Sequence, residues 1–227
     1  MTTLLIATRN SHKVGEIRAI LGAQFQFLTL NDFPNAPKVV EDAETFAGNA
    51  AKKAAELAKW ISSDSTIQRF NDPTIFVLAD DSGLEVDALG GAPGVHSARF
   101  AAPDKGENSK DADNNSKLLR LLAIVPAEKR TARFRCVIAL APVLKMEKGN
   151  ASPVCYADES ELRTQLFDGA CEGRIISGPR GGNGFGYDPL FVPNGFENTF
   201  AELGDDVKNK ISHRAKALEK LKQFFAR

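Results

Sequence analysis

Residues 79–100, ADDSGLEVDALGGAPGVHSARF, decide how this chain is organised. An apolar run at residues 75–79 leads into them and is typical of a buried strand. Two adjacent carboxylates, Asp80 and Asp81, follow, and then a Ser-Gly pair. Oxygen ligands at a strand end, before a glycine turn, suit a hard divalent cation and a phosphate. Two aspartates that merely cap a hairpin are the simpler interpretation, and the pair alone does not decide between the two.

The pattern around this stretch predicts a mixed α/β chain. A second strand is predicted at residues 84–89, and the glycines and proline after it force a tight irregular loop. Apolar runs and alternating patterns predict further strands at residues 4–7, 25–30, 131–143, 153–157 and 163–172. Helical spacing predicts helices from Ser11, over residues 45–61, around Leu118 and from Ser212, which suits an N-cap.

Composition excludes several classes of protein. The 227 residues are 43% hydrophobic and 26% charged, a balance that is ordinary for a soluble globular chain. The net charge is zero, which argues against a nucleic-acid-binding surface. No apolar stretch approaches a membrane span, and the N-terminus leads into a strand rather than a signal peptide. We therefore expect a cytoplasmic protein that has no membrane or nucleic-acid partner.

The three cysteines indicate buried thiols rather than a disulfide or a metal site. Cys136, Cys155 and Cys171 are far apart, odd in number and without the spacing of metal ligands. We expect them to be reduced.

Two lysines in unusual places suggest an anion site. Lys13 lies in the first turn of a predicted helix, where a cation opposes the helix dipole unless an anion is bound there. Lys53 and Asn49 lie beside the apolar stripe of the next helix, one turn apart. A solvated surface lysine explains Lys13 equally well. For Lys53 we favour an anion in a cleft over a side chain that extends past the edge of the core.

A second informative stretch is GPRGGNGFGYDPLFVP at residues 178–193. It lacks the Gly-Lys-Ser/Thr of a phosphate-binding Walker loop and the spacing of a dinucleotide-binding motif. Phe185 and Tyr187 in such a segment offer stacking faces for a base. A glycine-rich turn anchored by two core aromatics is the alternative, and without other evidence it is preferred. The residues themselves thus indicate a metal and phosphate site and phosphoryl chemistry on an unknown substrate.

Several blocks of the sequence resemble the inosine triphosphate pyrophosphatase family, and together they span nearly the whole chain. In order they are TRNSHK at residues 8–13, Glu41, the pattern T-F-x-x-N-A-x-x-K-A at 45–54, ADDSGL at 79–84, GGAPG at 90–94, SAR at 97–99, GFGYDP at 184–189 and SHR at 212–214. The resemblance implies Mg²⁺-dependent hydrolysis of the non-standard purine nucleoside triphosphates ITP, dITP and XTP to the monophosphate and pyrophosphate. It also implies a single domain over residues 1–227, an elongated two-lobed α/β fold on a long mixed sheet flanked by helices, a cleft between the lobes, and a homodimer.

The resemblance also assigns roles to residues. Glu41 and Asp81 match the Mg²⁺ ligands, and Asp81 also matches the catalytic acid or base. Ser82 matches a substrate contact. The triphosphate-binding groups are matched by Thr8, Arg9, Asn10, Ser11, His12, Lys13 and Lys53. The base-recognition groups are matched by Phe185, Gly186, Tyr187, Asp188, Lys208, His213 and Arg214.

The chain departs from the family pattern at three places. Arg9 stands where many members have glycine, so the geometry of the phosphate loop is expected to differ slightly. Residues 62–74 and 144–152 look like additions, and we expect both to be surface loops. Lys208 is preferred to the nearby Lys210 because of its distance from Ser212.

Donors such as His213 and Arg214 suit the 6-keto oxygen of hypoxanthine or xanthine. The 6-amino group of adenine would leave them unpaired. Three rival hypotheses remain: a pyrophosphatase for pyrimidine or modified nucleotides, a nucleotide-binding regulator without turnover, and an RNA-binding module. The base-pocket motif argues against the first, the set of carboxylates and lysines against the second, and the zero net charge against the third.

Overall fold

The structure is a computed structural model that describes residues 1–63, 75–102, 108–144 and 163–226. Within these ranges the strands are β1 (Thr3–Ile6), β2 (Gln26–Thr29), β3 (Ile75–Val86), β4 (Thr131–Pro142), β5 (Gln165–Ile175) and β6 (Phe191–Pro193). The α-helices of the same ranges are α1 (Ser11–Leu21), α2 (Phe46–Ser63), α3 (Asp111–Leu121), α4 (Phe200–Leu203), α5 (Asp205–Ile211) and α6 (His213–Phe225).

The strands form one mixed sheet in the order β2-β1-β3-β4-β5-β6. β1 pairs in parallel with β2 and with β3, whereas β5 pairs antiparallel with β6. The Leu-Leu-Ile run of β1 is fully buried, as expected for a strand with a parallel neighbour on each side. The predicted α/β class and mixed sheet are confirmed.

The chain divides into two compact units. Unit 1 consists of Met1–Asp81 and Val137–Phe167, and unit 2 of Ser82–Cys136 and Asp168–Arg227. In unit 1, helix α2 buries a stripe of small and apolar side chains at helical spacing, namely Ala50, Ala54, Leu57, Ala58 and Ile61. In unit 2, one core cluster includes Leu84, Leu118, Phe134, Tyr187, Phe191 and Phe200. The chain passes from unit 1 to unit 2 between Asp81 and Ser82, and again between Phe167 and Asp168.

The break predicted after residue 79 is wrong, because β3 runs without interruption from Ile75 to Val86. Asp80 and Asp81 lie in the middle of this strand and are only 2% and 6% exposed. The hairpin interpretation is therefore wrong as well, and Gly83 is a strand residue rather than a turn residue. β1 pairs with β3 over Ile75–Leu78, and β4 is the neighbour of β3 on its other side. Membership of the sheet thus overrides the local preference of Asp-Ser-Gly for turns.

Other expectations are met in part. Ser212 is the N-cap of α6, and its hydroxyl accepts a hydrogen bond from the Ala215 N–H at 3.1 Å, as predicted. Cys136 and Cys171 are buried and form no disulfide bond within the described ranges, as predicted. α2 extends through residues 62 and 63, which were expected to begin a loop. The rest of that expected loop, most of the expected loop at residues 144–152, the predicted strand at 153–157 and Cys155 lie outside the described residues.

A glycine in β5 lets α6 approach the sheet closely. A Cβ atom added at Gly169 would lie 2.1 Å from the carbonyl oxygen of His213 and 2.7 Å from the nitrogen of Ala217. Only a residue without a side chain therefore fits against the first turns of α6, where His213 and Arg214 lie. None of the helices in the described ranges is both long enough and apolar enough to cross a lipid bilayer.

Candidate active site

The first turn of α1 carries a cation that pairs with a buried carboxylate. The side chain of Asn10 caps the helix and accepts hydrogen bonds from the N–H groups of His12 and Lys13, at 2.9 and 3.2 Å. The Nζ atom of Lys13 lies 2.5 Å from Oδ1 of Asp80. The interpretation of Lys13 as a solvated surface side chain is therefore wrong. Its partner comes from β3, and this ion pair offsets the unfavourable position of Lys13 in the helix dipole.

α2 contributes a second lysine and an amide on the same face. The Nζ atom of Lys53 lies 2.6 Å from Oε1 of Glu41 and donates to the carbonyl oxygen of Asp80 at 3.2 Å. One turn earlier, the amide of Asn49 donates to Oδ2 of Asp81 at 3.0 Å and accepts from the N–H of Ala43 at 2.9 Å. Asn49 is fully buried and was not predicted as a site residue. Its position four residues before Lys53 was the signal for it.

These contacts define an acidic–lysine cluster in unit 1, which consists of Lys13, Glu41, Asn49, Lys53, Asp80 and Asp81. Burial raises the pKa of Asp81 to about 6, although the charges of Lys13 and Lys53 act in the opposite direction. The negative charge of Glu41 raises this pKa further, and the hydrogen bond from Asn49 lowers it. Asp81 is thus a desolvated carboxylate that changes protonation near neutral pH, as expected of a functional group.

The cluster fits a magnesium ion that is shared with a phosphate substrate. In the described ranges no group of three or more His, Cys, Asp or Glu side chains forms a complete protein cage for a metal. Mg²⁺ does not need one, because it is usually held by one or two carboxylates together with waters and substrate phosphates. Glu41 and Asp81 supply two such carboxylates. A divalent cation would also stabilise the ionised form of the desolvated Asp81.

The polar turn before α1 lies at the N-terminal end of this helix. Thr8 is half-buried, and its hydroxyl accepts a hydrogen bond from the N–H of Asn10 at 3.1 Å. Arg9 donates to the carbonyl oxygen of Ala36 at 3.4 Å. Ser11 and His12 are exposed in the first turn. An anion bound at this end would replace Asn10 as the acceptor of the first helical N–H groups, and the polar side chains would supply further donors.

Unit 2 contains a buried ion pair in the glycine-rich stretch. Nζ of Lys208 lies 2.5 Å from Oδ2 of Asp188, and both side chains are 2% exposed. The same oxygen accepts a hydrogen bond from the N–H of Phe185 at 2.9 Å. A Cβ atom on Gly184, whose φ is +77°, would lie 2.3 Å from this oxygen, so glycine is required there. Lys210 is exposed, which supports the choice of Lys208.

Two cationic side chains lie close to the Phe185 ring. Nζ of Lys208 lies 4.5 Å from the ring centroid, and the guanidinium carbon of Arg214 lies 6.0 Å from it. Arg214 is fully buried at the start of α6 and donates to the hydroxyl of Ser82 at 2.9 Å. His213 is also buried, and its ring stacks on Phe134 with a centroid distance of 4.8 Å. Five of the residues predicted to recognise the base or substrate are therefore close together within unit 2: Ser82, Phe185, Asp188, Lys208 and Arg214.

Tyr187 differs from its predicted role as a stacking face. Its ring is part of the core cluster of unit 2, and its hydroxyl donates to the carbonyl oxygen of Ser97 at 2.9 Å. Burial raises the pKa of this hydroxyl well above its ordinary value. The anchored-turn interpretation is thus correct for Tyr187, and the half-buried Phe185 is the ring that remains for stacking.

Fold and site together define an α/β protein with carboxylates and lysines clustered at mid-strand, as in proteins that bind a metal and a phosphate. Residues 4–224 match the Ham1 family, and the chain belongs to this family. It is 46% identical over 223 residues to the dITP/XTP pyrophosphatase of Geobacter sulfurreducens (strain ATCC 51573 / DSM 12127 / PCA), across 98% of this chain and 96% of that protein. It is 43% identical over 223 residues to the dITP/XTP pyrophosphatase of Shouchella clausii (strain KSM-K16), across 98% of this chain and 96% of that protein.

A solved structure agrees with this assignment. A HAM1 protein from Coxiella burnetii is 36% identical and superposes with a TM-score of 0.77, covering 100% of this chain and 99% of that chain. The resemblance drawn from the sequence blocks is confirmed.

The raised pKa of Asp81 predicts how stability changes with pH in the absence of divalent metal. A carboxyl whose pKa is raised on folding, here from 3.8 to about 6, stabilises the fold below about pH 4 and loses this contribution as pH rises through 6. We expect the unfolding free energy of the wild type to fall over this interval by about 2–3 kcal/mol more than that of Asp81→Asn, which cannot titrate at this position. Urea unfolding from pH 3 to pH 8 measures it. Parallel profiles for the two proteins would contradict the pKa assignment.

The buried pair of Asp188 and Lys208 is expected to be far more costly to break than an exposed pair. Asp188→Asn leaves Lys208 buried without its counter-charge, and we expect a loss of roughly 3–5 kcal/mol. Asp168 pairs with Lys220 at 2.8 Å with both side chains at least half exposed, and Asp168→Asn is expected to cost under about 1 kcal/mol. Urea unfolding of both variants tests the difference, and equal losses would contradict it.

Proposed function

We propose that this protein hydrolyses ITP, dITP and XTP to the nucleoside monophosphate and pyrophosphate. The acidic–lysine cluster carries the proposal, because it places a desolvated carboxylate beside two lysines and a second carboxylate. The relatives from Geobacter and Shouchella are named dITP/XTP pyrophosphatases and align over nearly the whole chain, which supports the same reaction.

Glu41 and Asp81 would hold Mg²⁺. When bound, this ion neutralises charge on the departing pyrophosphate. Asp81 also orients or deprotonates the attacking water. With a pKa of about 6 it is largely ionised at neutral pH, yet basic enough to accept a proton in the reaction. Asn49 fixes the orientation of the Asp81 carboxylate through its hydrogen bond.

Lys13 and Lys53 bind the triphosphate together with the N-terminal end of α1. Each lysine is now paired with a carboxylate, Lys13 with Asp80 and Lys53 with Glu41. If Glu41 held the metal, Lys53 would be available to a phosphate oxygen, so metal and triphosphate are expected to bind together. The residues that supply further donors are Thr8, Arg9, Asn10, Ser11 and His12.

The base is recognised by the groups of unit 2. Arg214, His213 and Lys208 are donors that suit the 6-keto oxygen of hypoxanthine or xanthine, and Phe185 supplies the stacking face. Adenine presents an amino group in place of this oxygen and would leave a buried donor unpaired, at a cost of about 1–3 kcal/mol. A homodimer and a cytoplasmic location stay predictions from the resemblance and the composition.

Pyrophosphate release from ITP, XTP, dITP, GTP and ATP with Mg²⁺ tests the proposal. We expect turnover of the first three and weak turnover of ATP. In Asp81→Asn we expect kcat for ITP to fall by about 10²–10⁴-fold, since a positioned general base contributes that much. Asp42→Asn is the matched control, because Asp42 is an exposed carboxylate next to Glu41 that pairs with Lys52 at 2.6 Å.

The outcomes separate the parts of the proposal. Equal release from all five substrates would contradict the base-recognition argument and leave the hydrolytic reaction standing. No release from any substrate, with ITP still bound, would contradict the enzyme and favour a nucleotide-binding regulator. Full activity in Asp81→Asn would contradict the role of Asp81.

A further inference from the structure

Both backbone polar groups of Gly186 are held by one helix. The N–H of Gly186 donates to Oδ2 of Asp111 at 2.6 Å, and the amide of Asn115 donates to the carbonyl oxygen of Gly186 at 2.9 Å. Asp111 and Asn115 are four residues apart in α3 and so lie on the same face. We name Asp111, Asn115 and Gly186 the Gly186 clamp. All three residues belong to unit 2.

The clamp acts at the centre of the segment that carries the base-recognition groups. Gly186 has a φ of +62° and lies between Phe185, which offers the stacking face, and Tyr187, which is anchored to Ser97. The N–H of Phe185 is bound to Asp188, which in turn pairs with Lys208. Because the backbone of Gly186 is fixed, the Phe185 ring and the Asp188–Lys208 pair keep a constant distance and orientation relative to each other.

α3 is itself firmly attached and can serve as the fixed side of the clamp. The buried amide of Asn114 accepts from the N–H of Ala101 at 2.8 Å and donates to the carbonyl oxygen of Ala98 at 3.3 Å. Leu118, one turn further on, is fully buried in the core cluster of unit 2.

Asn115 carries a feature that stability alone does not explain. Its Oδ1 atom is buried and makes no hydrogen bond within the described ranges, whereas its Nδ2 atom holds Gly186. A buried acceptor without a partner is unfavourable, so an apolar side chain would suit this place better if packing were its only task.

We propose that Asp111 and Asn115 are positioning residues for purine recognition, which hold Gly186 so that Phe185 and Lys208 meet the base in a fixed geometry. Gly186 then acts through its fixed backbone, whose N–H and C=O are engaged by α3, rather than as a direct contact to the substrate. This inference rests on the proposed function.

The experiment compares steady-state kinetics on ITP and ATP for the wild type, Asp111→Ala, Asn115→Ala and two matched controls. Asp111→Asn keeps a side-chain oxygen that can accept from Gly186. Asp113→Ala removes a carboxylate of the same helical turn that is exposed and makes no side-chain hydrogen bond within the described ranges. In parallel, NMR measures amide hydrogen exchange at Gly186, and calorimetry measures binding of ITP.

We expect KM for ITP to rise about tenfold in Asp111→Ala and Asn115→Ala, with kcat within about twofold of the wild type. The preference for ITP over ATP falls by a similar factor, since the groups that discriminate the base are no longer fixed. Exchange at Gly186 is expected to be at least about tenfold faster in both alanine variants, while both controls behave as the wild type.

Unchanged exchange at Gly186 in the alanine variants would overturn the clamp. The clamp would also be overturned if kcat fell equally for ITP and ATP while KM and the preference for ITP over ATP stayed unchanged. A smaller fraction of folded protein would produce that result. A wild type that releases no pyrophosphate from ITP would contradict the proposed function instead. In that case exchange at Gly186 and the affinity for ITP still decide whether the clamp positions the binding groups.

Discussion

Two buried carboxylates in the middle of strand β3 impose the main constraint on unit 1. Asp80 and Asp81 are almost completely removed from water, and an unpaired charge in such a place is strongly unfavourable. Positive and polar groups must therefore reach them. This requirement explains why α1 has a lysine in its first turn and why α2 carries Asn49 and Lys53 beside an otherwise apolar face.

Unit 2 is organised by the same principle around Asp188. One oxygen of this buried carboxylate accepts from Lys208 and from the backbone of Phe185, and it also requires glycine at position 184. The buried cations near Phe185 are thus stabilised by a carboxylate and by the face of the ring. In both units the charged groups are oriented before any substrate binds, which is the condition for effective electrostatic stabilisation.

Much of the fold can be predicted from the local sequence pattern, and the errors of that prediction have a common cause. Apolar runs and periodicity predicted four of the strands and four of the helices, namely β1, β2, β4, β5, α1, α2, α3 and α6, and the residue type of Ser212 predicted its cap. The short elements β6, α4 and α5 were not predicted, because three to seven residues carry too little periodicity. The course of β3 was missed because Asp-Asp-Ser-Gly has turn composition. What keeps it in a strand are its pairing in the sheet and partners such as Lys13, 67 residues away. A single sequence does not contain such distant contacts in readable form.

The same limit applies to the site. Lys13, Lys53 and Lys208 were predicted, because a cation in an unusual place or in a family motif is visible in the sequence. Asn115 was not, since its partner Gly186 is 71 residues away and an asparagine on a helix carries no local signal. The buried position of Tyr187 was likewise decided by packing in the core of unit 2. Gly169 was detectable in principle, as a glycine inside a strand indicates a close approach of another backbone.

Asp81 lies in the field of Lys13 and Lys53 in the absence of metal, and the proposed reaction requires it to be a ligand of the divalent ion in the substrate complex. Electron paramagnetic resonance of Mn²⁺, used in place of Mg²⁺ with a non-hydrolysable ITP analogue, tests this claim most directly. We expect Asp81→Asn to weaken Mn²⁺ binding at least about tenfold. Equal Mn²⁺ affinity in the wild type and in Asp81→Asn, with the analogue bound to both, would contradict it.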